Sequence, residues 1–196
     1  MTPQSIITAA RHTLNDIDPT DYRHTDAELL TYVNDGIREC VIFRPEFFST
    51  IGDFTCTPGQ CEQTITFADA VMLMEVLSIH GGTALTPFDM DAMSAFNPNW
   101  RADTAGPAVQ YSKFTNDVLK FFIYPKAPAT AQTLDVRYVR NPDSYPLPDT
   151  ITELPDVLQP ALEDYVIFRA ESKDDESVNS GRALAAYQKF ATLLKG

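Results

Sequence analysis

The sequence predicts an α+β protein in which helical segments at the two ends of the chain enclose a strand-rich middle. Three observations carry this expectation. Apolar residues recur at helical spacing in residues 25–45 and 154–190. From residue 46 to about residue 145 that period gives way to short aromatic and β-branched runs punctuated by proline and glycine. The chain of 196 residues, 44% hydrophobic and 21% charged, suffices for one or two packed modules.

At the amino terminus, Thr2 followed by Pro3 reads as an N-cap with proline in the first turn, and Ile6, Ala10, Leu14 and Ile17 then share one helical face. This helix should end before Asp18-Pro19. Thr25 and Glu28 make a capping box, in which the threonine hydroxyl accepts the Glu28 N–H and the Glu28 carboxylate accepts the Thr25 N–H. The second helix runs from there to a stop at Pro45. Its apolar stripe is Leu29, Leu30, Val33, Ile37, Cys40 and Val41, opposite Glu28, Thr31, Asp35, Arg38 and Glu39. Gly36 in its interior gives up about 1 kcal/mol of helix propensity relative to alanine, which marks close approach of a neighbouring element.

Strands are predicted at 47–56, 63–67, 73–80, 108–114, 118–124 and 133–140, with a short run at 83–86. Gly81-Gly82 and Thr115-Asn116-Asp117 serve as hairpin tips. Strand 118–124 carries Leu119, Phe121 and Ile123 on one parity and Val118, Phe122 and Tyr124 on the other, so it should be covered on both sides, by a second sheet or by the helices. Residues 89–96 read as one short helix, followed by an Asn97-Pro98-Asn99-Trp100 turn. Pro142, Pro146, Pro148 and Pro155 stiffen the connector out of the sheet. Beyond it, Val157 to Glu171 is apolar almost all round and should form the buried centre of the helical layer. A last helix places Leu184, Tyr187, Ala191 and Leu194 on one stripe. The domain boundaries that follow are 1–45 with 150–196 for a helical docking domain and 46–149 for a β-rich insertion.

The net charge of −12 and pI near 4.5 argue against a protein that grips phosphate backbones, because such binding depends on clustered Lys and Arg. Between Asn141 and Ser180 ten acids face only Arg169 and Lys173. They make either a solvated acidic face or the lining of a channel that repels passing DNA, with Asp174, Asp175 and Glu176 as the channel-facing candidates. No apolar run is long enough to span a membrane and the first helix has no signal-peptide core, so a cytosolic protein is expected. Cys40, Cys56 and Cys61 read as small buried hydrophobes, although Cys56 and Cys61 flank a Thr57-Pro58-Gly59-Gln60 turn and could face each other across it.

Reactive constellations are missing from the pattern. His12, His24 and His80 stand in no metal-ligand spacing, and residues 175–181 lack the donors of a calcium loop, Asn179 reading instead as a helix cap. Gly81-Gly82-Thr83 has no lysine to make a phosphate loop, and no nucleophile elbow occurs. Glu163 and Asp164, adjacent on a helix, diverge by about 100° and cannot act on one atom. No catalytic residue, cofactor or metal is therefore assigned. Arg44 and Arg140 sit where helix and sheet segments meet, and each either pairs with an acid of the carboxyl-terminal third or contacts a neighbouring subunit. The full set of candidate interface residues is Arg38, Arg44, Arg140, Arg169, Arg182 and Tyr187.

The segments 25–45 (TDAELLTYVNDGIRECVIFRP), 84–101 (ALTPFDMDAMSAFNPNWR), 106–128, 134–142 and 154–190 together resemble the head-to-tail adaptor, or connector, family of tailed bacteriophages. The resemblance implies a helical bundle built from both termini with an inserted antiparallel β-sandwich or barrel-like module. It also implies a ring of about twelve copies below the portal protein, through which DNA passes without specific binding. The implied partners are the portal, neighbouring adaptor subunits and tail nozzle, tube or stopper proteins, in a virion assembled in the host cytoplasm and without a membrane. Portal contacts would fall on the helices at 26–43 and 157–194. A tail-tube or stopper ring protein and a small cytosolic enzyme are the alternatives left open.

Overall fold

The computed structural model describes residues 1–173 and 180–195. The chain forms two compact units, Met1–Phe48 with Pro142–Gly196, and Ser49–Asn141. Five α-helices and seven strands are present among the described residues, so the protein is mixed α+β.

The first unit holds α1 (Pro3–Leu14), α2 (Asp26–Phe43), α4 (Gln159–Glu171) and α5 (Ser180–Lys195). Helix α1 opens with a full capping box: Thr2 Oγ1 accepts the Ser5 N–H at 3.1 Å, and Ser5 Oγ accepts the Thr2 N–H at 3.2 Å. It ends at Asn15, whose φ of 58° gives a left-handed cap. The helix is thus shorter than its apolar spacing predicts, and Ile17 lies beyond it, 57% exposed. At α2 only half of the expected box forms. Thr25 Oγ1 accepts the Glu28 N–H at 3.2 Å, while the Glu28 carboxylate accepts the Tyr32 hydroxyl and the Lys173 ammonium, each at 2.9 Å. A charged donor from a distant element outcompetes one neutral backbone N–H.

Helix α4 packs against α1, α2 and α5 and is the centre of this unit. Its Ala161, Leu162, Tyr165, Val166 and Ala170 meet Ile6, Ile7 and Ala10 of α1, Leu29, Val33, Ile37 and Cys40 of α2, and Phe190 and Leu194 of α5 in a buried interior. Gly36 lets α4 approach: a Cβ there would lie 2.9 Å from Tyr165 Cδ1 and 3.3 Å from Leu162 Cδ2. Asn34, a polar residue amid this packing, clips the proline-rich connector to α2. Its side chain accepts the Tyr145 N–H at 2.8 Å and donates to the Tyr145 carbonyl at 3.1 Å, so both backbone groups are satisfied. Two predicted core positions are corrected. Val157 lies in a 3-10 turn before α4 and is 79% exposed, and α5 buries Ala183, Ala186, Phe190 and Leu194 while Leu184 is 58% exposed. The small alanines let α5 lie close to α4, which rotates its buried stripe away from Leu184.

The second unit contains two open sheets, neither a closed barrel. One has the order β1-β7-β3, from β1 (Ser49–Thr55), β7 (Thr133–Arg140) and β3 (Ala70–Ile79), all antiparallel. The other has the order β2-β6-β5-β4, from β2 (Glu62–Thr64), β6 (Lys120–Tyr124), β5 (Gln110–Lys113) and β4 (Thr86–Pro87), with β4 parallel to β5. Phe54, Leu73, Val76, Leu134 and Val136 from the first sheet share one apolar cluster with Tyr111, Phe121 and Ile123 from the second. The opposite face of β6 has its own apolar cover within this unit. Phe122 packs on Trp100, at 5.9 Å between ring centroids, together with Phe88, Met90 and Met93 from the segment around α3 (Met90–Phe96). Helix α3 is capped by Asp89, has no buried residue, and leaves Phe96 92% exposed. All three cysteines are free and buried, and Cys56 and Cys61 belong to different apolar clusters.

Candidate functional site

The arginines singled out by the sequence are engaged within the chain. Arg169, on α4, donates to Asp35 of α2 at 2.8 Å and stacks over the Tyr32 ring at 4.9 Å. Arg38 approaches the same Asp35 at 3.1 Å and donates to Ser144 Oγ at 2.8 Å. Asp35 therefore joins α2 to α4, and Arg38 beside it joins α2 to the connector. Arg44 pairs with Glu46, donates to the Leu194 carbonyl at 3.4 Å and lies over Phe47. Its acid is thus a neighbour in sequence, not one of the carboxyl-terminal third. Arg182 reaches Glu171 at 3.1 Å and the Thr13 carbonyl, and the Tyr187 hydroxyl donates to Glu39 at 3.1 Å. Arg140 closes β7 opposite Ala70. Asp174, Asp175 and Glu176, the channel-facing candidates, and the Asn179 cap lie outside the described residues.

A buried polar cluster that local spacing does not announce lies where α1 meets α2. Arg11, on the buried face of α1, binds Asp16, the His24 carbonyl at 2.7 Å and Asp26 at 2.8 Å, with its guanidinium 3.6 Å from the Tyr22 ring centroid. Asp16 also accepts the Arg23 N–H at 2.8 Å. His24 is fully buried, and neither ring nitrogen has a hydrogen-bond partner. Burial pushes its pKa down, with help from Arg23 and against the pull of Glu28 and Asp16. The cluster fixes how the chain turns between the two helices. An arginine at an apolar-face position followed by acids was the available signal.

The β unit gathers a second set of titratable groups. Asp135 of β7 accepts the Ser78 hydroxyl at 2.7 Å on Oδ2 and approaches His80 Nδ1 at 2.8 Å through Oδ1, and Asp53 of β1 lies 3.4 Å from the same nitrogen. The order of bonding matters chemically. Ser78 donates to the carboxylate and not to the imidazole, so the three residues do not stand in the order of a serine–histidine–aspartate relay. Glu163 accepts from Gln159 at 2.9 Å, and Asp164, its pKa raised by burial, faces a groove beside α5.

That groove is lined by Asp164, Ala185, Gln188, Lys189, Thr192 and Leu193. Leu184 and Leu193 on α5 and Ile42 on α2 are large apolar side chains exposed on the helical unit. The groove offers contact area without any convergent reactive groups. Among the described residues no helix is long and apolar enough to cross a membrane.

A family model described as SU10 adaptor protein matches residues 1–196. No curated protein matches the chain. The chain belongs to the SU10 adaptor protein family, a phage head-to-tail adaptor family.

Proposed function

We propose that this chain, as a member of that family, is a structural protein of the virion that forms a ring of about twelve copies between portal and tail, through which double-stranded DNA passes. The match of the family model over residues 1–196 carries the reading. The helical unit acts as the docking bundle, and the two sheets form a sandwich-like insertion turned towards tail nozzle, tube or stopper proteins. The role is one of assembly and uses no catalytic residue.

Physical features support the same reading. The helices are cross-tied by Arg169–Asp35, Tyr187–Glu39 and Arg182–Glu171, which stiffens a surface that must meet its partner in one geometry. Exposed Ile42, Leu184 and Leu193 give this unit large apolar side chains of the kind that anchor a protein contact. The net charge of −12 keeps the DNA in transit from sticking to the ring.

The test is to mix the purified protein with its portal and image the product by electron microscopy. A ring of added density on the portal is expected, lost in an Arg44→Ala, Leu184→Asp double variant that still folds. A portal that gains no density overturns the reading, as does density found only on tail components, which would make the chain a tail-tube or stopper ring protein.

A further inference from the structure

We propose that Asp53, His80 and Asp135 form a binding site on the β unit for a divalent transition-metal ion of the Zn2+ class. Asp53 of β1 and Asp135 of β7 lie on adjacent strands, His80 is the first residue past the end of β3, and the ligand atoms of all three lie within 4.8 Å of one another. Sheet pairing places the two carboxylates, and a backbone bond to β7 continues the pairing as far as His80. Asp53 is the register partner of Asp135, Ser78 pairs with Asp135 on the other side, and the His80 N–H is bonded to the Thr133 carbonyl at 2.9 Å.

The spacing suits an ion. Ligands about 2.1 Å from a metal are about 3.0 Å apart on an octahedral edge and about 3.4 Å apart on a tetrahedral one. His80 Nδ1 stands 2.8 Å from Asp135 Oδ1 and 3.4 Å from Asp53 Oδ1, so small side-chain rotations bring all three atoms onto one centre. One imidazole nitrogen with two carboxylates selects Zn2+ and its neighbours over Mg2+ and Ca2+, which prefer all-oxygen shells. Ser78 holds the second oxygen of Asp135 at 2.7 Å, the outer-shell support that aims a ligating carboxylate.

Charge points the same way. Like charges directly opposed on neighbouring strands destabilise a sheet, yet Asp53 and Asp135 are opposed in register. Further along the same sheet, Glu75 opposes Arg137 at 2.6 Å, the complementary arrangement. A bound cation resolves the Asp53–Asp135 conflict and ties three strands together, with water completing its shell on the exposed side. A proton on the imidazole is its competitor for the same place.

The experiment is calorimetric titration of the metal-stripped full chain with Zn2+ at neutral pH, with Co2+ as a second probe read by its visible absorption. One saturable micromolar site is expected, with Ca2+ and Mg2+ failing to displace the ion at millimolar concentration. His80→Ala and Asp135→Asn should each abolish it and Ser78→Ala should weaken it at least about tenfold, all with unchanged circular dichroism. Absence of saturable uptake overturns the proposal. So does uptake that survives His80→Ala, which would put the ion elsewhere on the chain.

Discussion

Replacing Gly36 by alanine tests whether α4 is seated on α2 as closely as the structure places it. The new methyl would lie 2.9 Å from Tyr165 Cδ1, 3.2 Å from Tyr165 Cγ and 3.3 Å from Leu162 Cδ2, where carbon contacts normally settle at about 3.5–4.0 Å. The ring cannot simply turn away, because it is buried against Phe190 at 5.0 Å and Phe168 at 5.7 Å between centroids. Overpacking of this kind costs about 1–3 kcal/mol, and the better helix propensity of alanine returns about 1 kcal/mol. A net loss of up to about 2 kcal/mol is expected, at about 2–4 °C of Tm for each kcal/mol in a chain of this length. Urea unfolding followed by circular dichroism at 222 nm reads it. In a Tyr165→Leu background, where the ring is gone, the same substitution should be neutral or stabilising. An alanine that stabilises the unaltered protein, or costs the same in both backgrounds, would refute the reasoning.

Three further outcomes are expected. Arg11→Ala should cost about 3–5 kcal/mol, because it strands the buried Asp16 carboxylate; a loss below about 1 kcal/mol in denaturant unfolding would show that this pair is solvated. Burial holds the folded-state pKa of His24 below its ordinary 6.5, so the unfolded chain binds that proton more tightly. Its contribution is full above about pH 6.5 and is lost as pH falls through that value towards the lower folded pKa; His24→Leu should flatten the stability profile there, and identical slopes would remove His24 as the cause. Burial pushes the Cys40 thiol up to about 12 and Cys56 up to about 11, so a chromogenic disulfide reagent at neutral pH should label neither until the chain unfolds.

Elements whose signals are local were legible without a structure. Thr2-Pro3 marked the start of α1, Thr25 that of α2, and Asp89 that of the short α3, because an N-cap and its first turn are neighbours in the chain. Gly36 stood out as a close approach for the same reason, a glycine where propensity asks for something else. Ile17, Val157 and Leu184 misled because an apolar residue in helical register carries no information about where the helix stops or which way it is rotated by its neighbours. Asn34, polar within an apolar helix, gave no hint that it would clip Tyr145.

The candidate sites were less legible than the elements. Arg169 and Arg182 could be picked as interface candidates from their residue type, but the Asp35 and Glu171 carboxylates they meet are assigned by helix packing. His80 stands in no ligand motif along the chain; only the pairing of β7 between β1 and β3 brings Asp53 and Asp135 to it. By itself, then, the sequence determined the helix starts, most strands, the acidic charge and the family resemblance, all of which rest on residues close in the chain or on composition. The tertiary structure alone decided which face of α5 is buried, what covers β6, and which charges meet, since those depend on contacts between segments whose separation along the chain leaves no periodic trace.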